Sequence, residues 1–412
     1  MDYEKTVAAL FERHQSVQSA GFSPQAYKPG LGGMEALAAA AGNPQRGLRC
    51  IHVAGTNGKG SVCSMLAAAL SAAGLRTGLY TSPHLLDFRE RMKTVEGGTF
   101  AMIPREDVLE FLESFGNYFE GRSFFEITTA MAFWWFARQK VDVAVIETGL
   151  GGRLDSTNII TPEISIITGI GLDHCAILGG TREEIASEKA GIFKPGVPAL
   201  VGEYDPVTGP VFESRAAQVH CPLFFASDAP LPDASAMDLR GPCCDLNLRT
   251  VLCALEILGI DPDQEALSGA ARITGFRGRW ERLLTEPELI CDIGHNPPAL
   301  EHNFARLEAS GRPLVIVYGV MADKDIDSIL PLMPRRARYV PVAPATSRSL
   351  PADALALKMR NLDCSAPASS VAEGVETALK MASEAPGTLI YVGGSTFVVS
   401  EAISYIETLK QQ

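Results

Sequence analysis

Short apolar runs alternate with longer segments of helical periodicity along most of this chain. That pattern predicts an α/β protein with largely parallel sheets. Residues 50–54 (CIHVA) read as a buried strand, residues 55–60 as a turn-rich loop, and residues 61–73 (SVCSMLAAALSAA) as a helix closed by Gly74. A second strand follows at 77–81 (TGLYT), which completes a βαβ unit. Residues 141–147 (VDVAVIE) and 163–168 (EISIIT) are further buried strands, and Gly149, Gly151 and Gly152 follow the first of them. The stretch 205–242 is rich in Pro and Asp and shows neither period. From residue 289 the alternation restarts with LICDIG, a helical run at 298–309 and PLVIVYGV. ARYVPVA, helices near Leu355 and at 371–382, TLIYVGG and a last helix complete a doubly wound pattern, the size of one domain. The expected domains are 1–285 and 286–412.

Composition narrows the function. A chain of 412 residues suggests two or three domains, and 46% hydrophobic against 20% charged residues suits a globular core. The 36 basic and 48 acidic side chains leave a net charge of −12, which argues against nucleic acid or an anionic membrane as partner. The longest apolar run, AMAFWWFA at 130–137, falls well short of the roughly 18 residues of a membrane span. The N-terminus carries charges among its apolar residues, and the nine cysteines form no CxxC pair. A cytoplasmic protein with reduced thiols is expected.

The segment GTNGKGS, residues 55–61, lies between a predicted strand and a predicted helix. Glycines let its N–H groups turn inward, the helix start adds positive dipole, and Lys59 adds a full charge. These features suit the phosphates of a nucleotide, with Thr56, Asn57, Gly58, Lys59, Gly60 and Ser61 as the cradle. The string departs from GxxxxGK[ST], since Gly60 separates Lys59 from Ser61, so the loop is a variant. A carboxylate is expected at a neighbouring strand end to hold Mg²⁺ on the phosphates, and Glu147 occupies such an end. His174, in GLDH after another strand, is a second candidate. The competing readings are a connecting glycine turn, an ordinary strand-terminal Glu and a structural His.

Taken together, the blocks VAGTNGKGS, TSPHL with RERM, FFE, ETGLGGRLDSTN, GLDH, EKAGI, GR, DIGHNP, DKD and GGS run in one order along the chain. In this series the sequence resembles the folylpolyglutamate synthase/dihydrofolate synthase family of the Mur ligase superfamily. The resemblance implies an N-terminal P-loop ATPase-type domain with a mainly parallel sheet and a smaller Rossmann-like C-terminal domain. It implies that ATP phosphorylates a carboxylate of dihydropteroate or of a folate's glutamate tail, and that L-glutamate attacks the acyl phosphate to give an amide, ADP and phosphate. By the same resemblance Ser82, Glu147 and His174 match Mg²⁺ ligands, and Asn247, Arg279 and Asp292 match contacts to base and ribose. Lys189 matches a lysine carried as a carbamate; an unmodified lysine in an ion pair is the alternative. Gly30, Leu31, Phe124, Phe125, Arg153 and Asp155 match the pterin region, with core packing as the competing role for the two phenylalanines. His295 and Ser395 match the glutamate and phosphate region.

Two departures from the family pattern stand out. Cys244 replaces a common glutamine, and a thiol cannot make the paired hydrogen bonds of an amide. Gly32 and Gly33 replace bulkier or charged residues, which predicts a looser pterin loop. Arg89, Arg91, Lys93, Arg153, Lys189 and Lys194 fall within or beside the matched blocks, and the run 89–93 reads equally well as solvated surface. About 50 residues precede the phosphate loop, too few for the UDP-binding domain of a peptidoglycan-precursor ligase. An ATPase without ligase activity is the reading from another class. A monomer is expected.

Overall fold

The structure is a computed structural model that describes residues 2–14, 30–241 and 243–411. Two compact units divide the chain: 1–238 with 243–276, and 239–242 with 277–412. The first holds an eight-stranded sheet built from β1 (Cys50–Ala54), β2 (Thr77–Tyr80), β3 (Met92–Glu96), β4 (Thr99–Met102), β5 (Val143–Glu147), β6 (Ile164–Ile167), β7 (Ala199–Val201) and β8 (Leu223–Phe225). Its order is β4-β3-β2-β5-β1-β6-β7-β8. β3 pairs antiparallel with both β2 and β4, and the other neighbours run parallel.

Every residue of β1 and β5 is buried, as expected for central parallel strands covered on both faces. Helix Lys59–Ala72 follows β1 and is buried on nearly all sides, which accounts for its apolar, weakly amphipathic sequence. Register sets the functional edge. Val53 pairs with Glu147, Ala54 with Ile167 and Tyr80 with Ile146. The loops after β1, β2, β5 and β6 therefore leave the sheet side by side, at the carboxyl end where α/β sheets bind ligands.

The second unit contains β9 (Glu281–Thr285), β10 (Glu288–Asp292), β11 (Leu314–Tyr318), β12 (Arg338–Pro341), β13 (Asp363–Cys364) and β14 (Leu389–Gly393), in the order β13-β12-β11-β14-β10-β9. Only β9 is antiparallel. Leu300, Phe304, Ile316, Tyr318 and Tyr391 centre its core.

Some expectations change. The units part at Phe276 rather than near residue 285, because β9 hydrogen-bonds to β10 and so belongs to the second sheet. The unreadable stretch 205–242 contains a helix, Gly209–Val219, and the short edge strand β8. Gly32 and Gly33 do not loosen a loop: they open the helix Gly32–Ala40, and a Cβ on Gly33 would overlap the Glu126 carboxylate. Arg91 and Lys93 are 3% and 2% exposed, so that part of the basic run is interior rather than solvated. No described helix is long and apolar enough to cross a membrane, and all nine cysteines are free thiols.

Candidate active site

Hydrogen bonds from two sides shape the loop after β1. Thr56 donates its N–H to Gly169 O, and its hydroxyl donates to Gly171 O while accepting from Gly171 N. The Thr168 hydroxyl donates to Asn57 O at 2.6 Å. The loop is thus tied to the exit of β6. Gly58 sits at φ +86°, in the left-handed region, and a Cβ there would overlap Asn247 Oδ1. That close approach brings Asn247, on helix Cys244–Leu258, to the phosphate loop. Lys59 folds back to donate to Gly55 O (3.0 Å) and Thr56 O (3.2 Å). Gly60 and Ser61 lie buried in the first turn of the helix.

Lys189 ends helix Arg182–Ala190 and is 4% exposed. Its amine donates to the same Gly55 carbonyl at 2.7 Å. Burial, and then the Lys59 cation, push its pKa down to about 7, against the opposing pull of Asp173 and Asp155. Two lysines therefore converge on one carbonyl, and one of them is close to neutral at physiological pH.

On the other flank of β1, Glu147 ends β5 with its carboxylate 4% exposed and accepts the Ser82 N–H at 3.0 Å on Oε2. Ser82 and Glu147 are thus brought together. The Ser82 loop is itself held by Glu90, whose carboxylate accepts the N–H groups of Leu85, Leu86 and Asp87. His174, at φ +54°, opens the short helix Cys175–Leu178, and its N–H donates to Asp173. Among the described residues no three His, Cys, Asp or Glu side chains form a metal-holding group. Glu147, with the Ser82 hydroxyl, offers hard oxygen donors, the chemistry a small divalent cation prefers when phosphates and water complete its shell.

The residues matched to the pterin region separate. Phe124 is 1% exposed, stacked on Phe11 at 4.6 Å and covered by the Arg91 guanidinium at 5.1 Å. It packs as a core residue, the role that competes with its expected place at the pterin. Phe125 is half-buried, and its ring lies against the Gly149 backbone, two residues past Glu147. Asp155 is 5% exposed and accepts from Leu150 N, Thr157 N and the Thr157 hydroxyl. It shapes the GLGGRLDSTN turn, with both oxygens accepting hydrogen bonds from within it. The Thr157 hydroxyl also meets His52 Nε2 at 2.8 Å, inside the sheet. Arg153 reaches Glu188, the neighbour of Lys189, at 2.7 Å and is half-exposed. Gly30 and Leu31 are half-buried and lead into helix Gly32–Ala40.

Within the second unit, Asp292 ends β10, 4% exposed. Its Oδ2 accepts Trp280 N, and its Oδ1 accepts Gly294 N and Asn303 Nδ2. Gly278 O accepts Ile293 N. Arg279 is therefore bracketed on both sides by β10 and its exit, and its Nε is buried with no hydrogen-bond partner among the described residues. Asp292 thereby ties the exit of β10 to the backbone around Arg279. His295 Nδ1 lies 3.1 Å from Ile293 O, and the Ser395 hydroxyl accepts Val398 N at the start of the last helix.

Sequence reasoning missed Thr168, Glu90 and Phe276. The Thr168 hydroxyl had a readable signal, a polar residue ending an apolar strand. Glu90 had one too, the capping-box spacing Asp87-x-x-Glu90, whereas Phe276 had none, since its partner Gly60 is set by tertiary approach.

Comparison with known proteins gives a consistent picture. The Mur ligase middle domain family matches residues 53–208, and the Mur ligase, glutamate ligase domain family matches 278–396. The dihydrofolate synthase/folylpolyglutamate synthase of Haemophilus influenzae is 31% identical over 395 residues, covering 87% of this chain and 89% of that protein. The Escherichia coli FolC in complex with DHPP and ADP superposes with a TM-score of 0.82 at 26% identity, over 99% of this chain and 98% of that one. A bifunctional folylpolyglutamate synthase/dihydrofolate synthase with Mn, AMPPNP and L-glutamate bound gives a TM-score of 0.80 at 28% identity, over 98% of both chains.

Proposed function

The chain belongs to the dihydrofolate synthase/folylpolyglutamate synthase family of Mur ligases, and from that premise we propose that it joins L-glutamate to dihydropteroate and to the glutamate tail of reduced folates, using ATP. The observation that carries the reading is the phosphate loop, with Lys59 and Lys189 on the Gly55 carbonyl, beside the Ser82–Glu147 pair.

The reaction has two steps. The substrate carboxylate takes the γ-phosphoryl group of ATP, giving an acyl phosphate and ADP. The glutamate amine then attacks the acyl carbon, forming the amide and releasing phosphate and a proton. Two anions must meet in the first step, and at about 4 Å in an effective dielectric near 20 two unit charges repel by roughly 4 kcal/mol. Lys59 and the loop that carries it offset that repulsion and hold the phosphates in line. Ser82, Glu147 and His174 would hold Mg²⁺, which neutralises phosphate charge when bound. Asn247, beside Gly58, orients the nucleotide. Phe125, at the mouth beyond Glu147, offers a ring face to the pterin.

Lys189 carries a carbamate in this reading. Only a neutral amine attacks CO₂, forming the N–C bond and releasing a proton, and a pKa near 7 makes the neutral form abundant. ¹³C-labelled bicarbonate should add one NMR signal that Lys189→Met loses; an unchanged spectrum would leave Lys189 unmodified.

The test of the function incubates the protein with ATP, L-glutamate and either dihydropteroate or tetrahydrofolate, with mass detection of products. Each acceptor should gain a glutamate residue, and ADP release should require both acceptor and glutamate. ADP release that ignores both would make the protein a free-standing ATPase. Addition to tetrahydrofolate alone would remove the dihydropteroate activity.

A further inference from the structure

The phosphate loop has an outer wall that none of the sequence motifs announces. Phe276, the last residue of the first unit, is half-buried. Its ring takes the space beside Gly60: a Cβ on Gly60 would lie 2.7 Å from Phe276 Cζ and 3.7 Å from Glu147 Oε2. Ring, loop backbone and carboxylate thus meet at one point. Gly60 is glycine because that ring is there.

The turn that delivers Phe276 is held by β3 and β4. Lys93, buried at 2% exposure, donates from Nζ to both Thr274 O and Gly275 O at 2.9 Å. These are the last carbonyls of helix Ala270–Thr274, where a cation is favourably placed. The same ammonium lies 5.2 Å from the Phe100 ring centre. Phe100 packs on Gly275, which sits at φ +60° with no room for a side chain. Phe276 N donates to Ala271 O. Glu90 lies near enough to favour the Lys93 charge but forms no ion pair with it among the described residues, and a buried lysine is costly unless its donors are used. Here they are used on the two residues that precede Phe276.

We propose that Phe276 is a positioning residue for the nucleotide, bracing Gly60 and screening the Glu147 carboxylate, and that Lys93 positions Phe276 through the turn 274–275. The inference rests on reading residues 55–61 as the ATP phosphate loop. Neither side chain touches the reacting atoms. Lys93 acts only through Phe276, so the two substitutions must not be independent.

The experiment is a double-mutant cycle on ATP affinity, with Lys93→Met, Phe276→Ala and the double variant. ATP Kd is measured calorimetrically in the absence of acceptor and glutamate, together with KM, kcat and thermal melting. Phe276→Ala should weaken ATP about tenfold, with KM for glutamate unchanged and kcat within about threefold. Lys93→Met should weaken ATP to a similar degree, and the double variant should be no weaker than the worse single. Additive losses would overturn the coupling. A lowered melting point with unchanged ATP Kd would make Lys93 merely structural. If Lys93→Met does not fold, Phe276→Ala decides alone, because its half-buried ring can be removed without opening the core; an unchanged ATP Kd there overturns the proposal. Wild-type protein that does not bind ATP would instead overturn the reading of the loop, and wild type that binds ATP without ligating glutamate would overturn the proposed function while leaving this cycle intact.

Discussion

Replacing Lys59 with methionine keeps the apolar stem and removes the charge. In the structure the amine lies 3.0 Å from Gly55 O and 3.2 Å from Thr56 O, held on the loop before any ligand arrives. A cation held on the phosphate loop, donating to the transferring phosphoryl group, is typically worth about 10²–10³ in turnover, or 3–4 kcal/mol. The Coulomb figure agrees: one unit charge about 4 Å from a phosphate oxygen at an effective dielectric near 20 contributes about 4 kcal/mol. Stability should change far less. Two hydrogen bonds worth about 1 kcal/mol each are lost, while the repulsion between Lys59 and Lys189 is relieved. Coupled measurement of ADP release at saturating ATP, glutamate and acceptor should show kcat lowered about 10²–10³-fold, with the melting point within about 4 °C of wild type. A variant that keeps more than a third of wild-type turnover would refute the assignment of the loop.

Further outcomes follow from the packing and the buried titratable groups. Phe124→Ala should lower unfolding free energy by about 3–5 kcal/mol, whereas Phe125→Ala should raise KM for the pterin substrate with a smaller stability loss; denaturant melts and kinetics on both variants separate the roles, and the reverse pattern would exchange them. Gly33→Ala should cost about 1–3 kcal/mol because its Cβ meets Glu126, while Gly32→Ala, with open space around it, should be neutral or stabilising by up to about 1 kcal/mol; equal effects would contradict the packing. His52 is buried and His84 half-buried, and desolvation pushes both pKa values down to about 3, with nearby Lys194 and Arg91 respectively adding to the shift. Their folded values lie below the unfolded value near 6.5, so the unfolded chain takes up protons first, and stability is whole above about pH 6.5 and falls as the pH drops. Two such groups give a slope approaching about 2–3 kcal/mol per pH unit below pH 6. Urea melts between pH 6.5 and 5 should show the decline, and a flat profile would mean that these histidines are not held as neutral groups.

Much of the chemistry was legible along the chain because it is local. A strand, a glycine loop and a helix with a lysine at its first turn form a contiguous string, and the backbone conformations they need are set by neighbouring residues. Strands β1, β2, β5 and β6, and the helix Lys59–Ala72, lie within a few residues of their expected places. The family could be read for a related reason: its blocks keep their order and residue types whatever the intervening loops do.

Tertiary structure decided the rest, because burial and partner choice depend on what packs against a residue from elsewhere in the chain. Phe124 and Phe125 are adjacent and chemically identical, and only the covering Phe11 and Arg91 send one into the core. Asp155 and Asp292 read in sequence only as ligand contacts, and the structure adds the backbone N–H groups that each one holds. Lys93 belongs to a charged run that suggests water, and strand pairing turns it inward onto carbonyls 181 and 182 positions away. β9 fell on the wrong side of the expected domain boundary because an antiparallel edge strand gains its sheet only through its partner. Sequence alone determined the residue types available at the loop and their local geometry. Which of those residues faces a ligand and which holds the fold was decided by long-range packing, because a side chain's burial and partners come from segments distant in the chain.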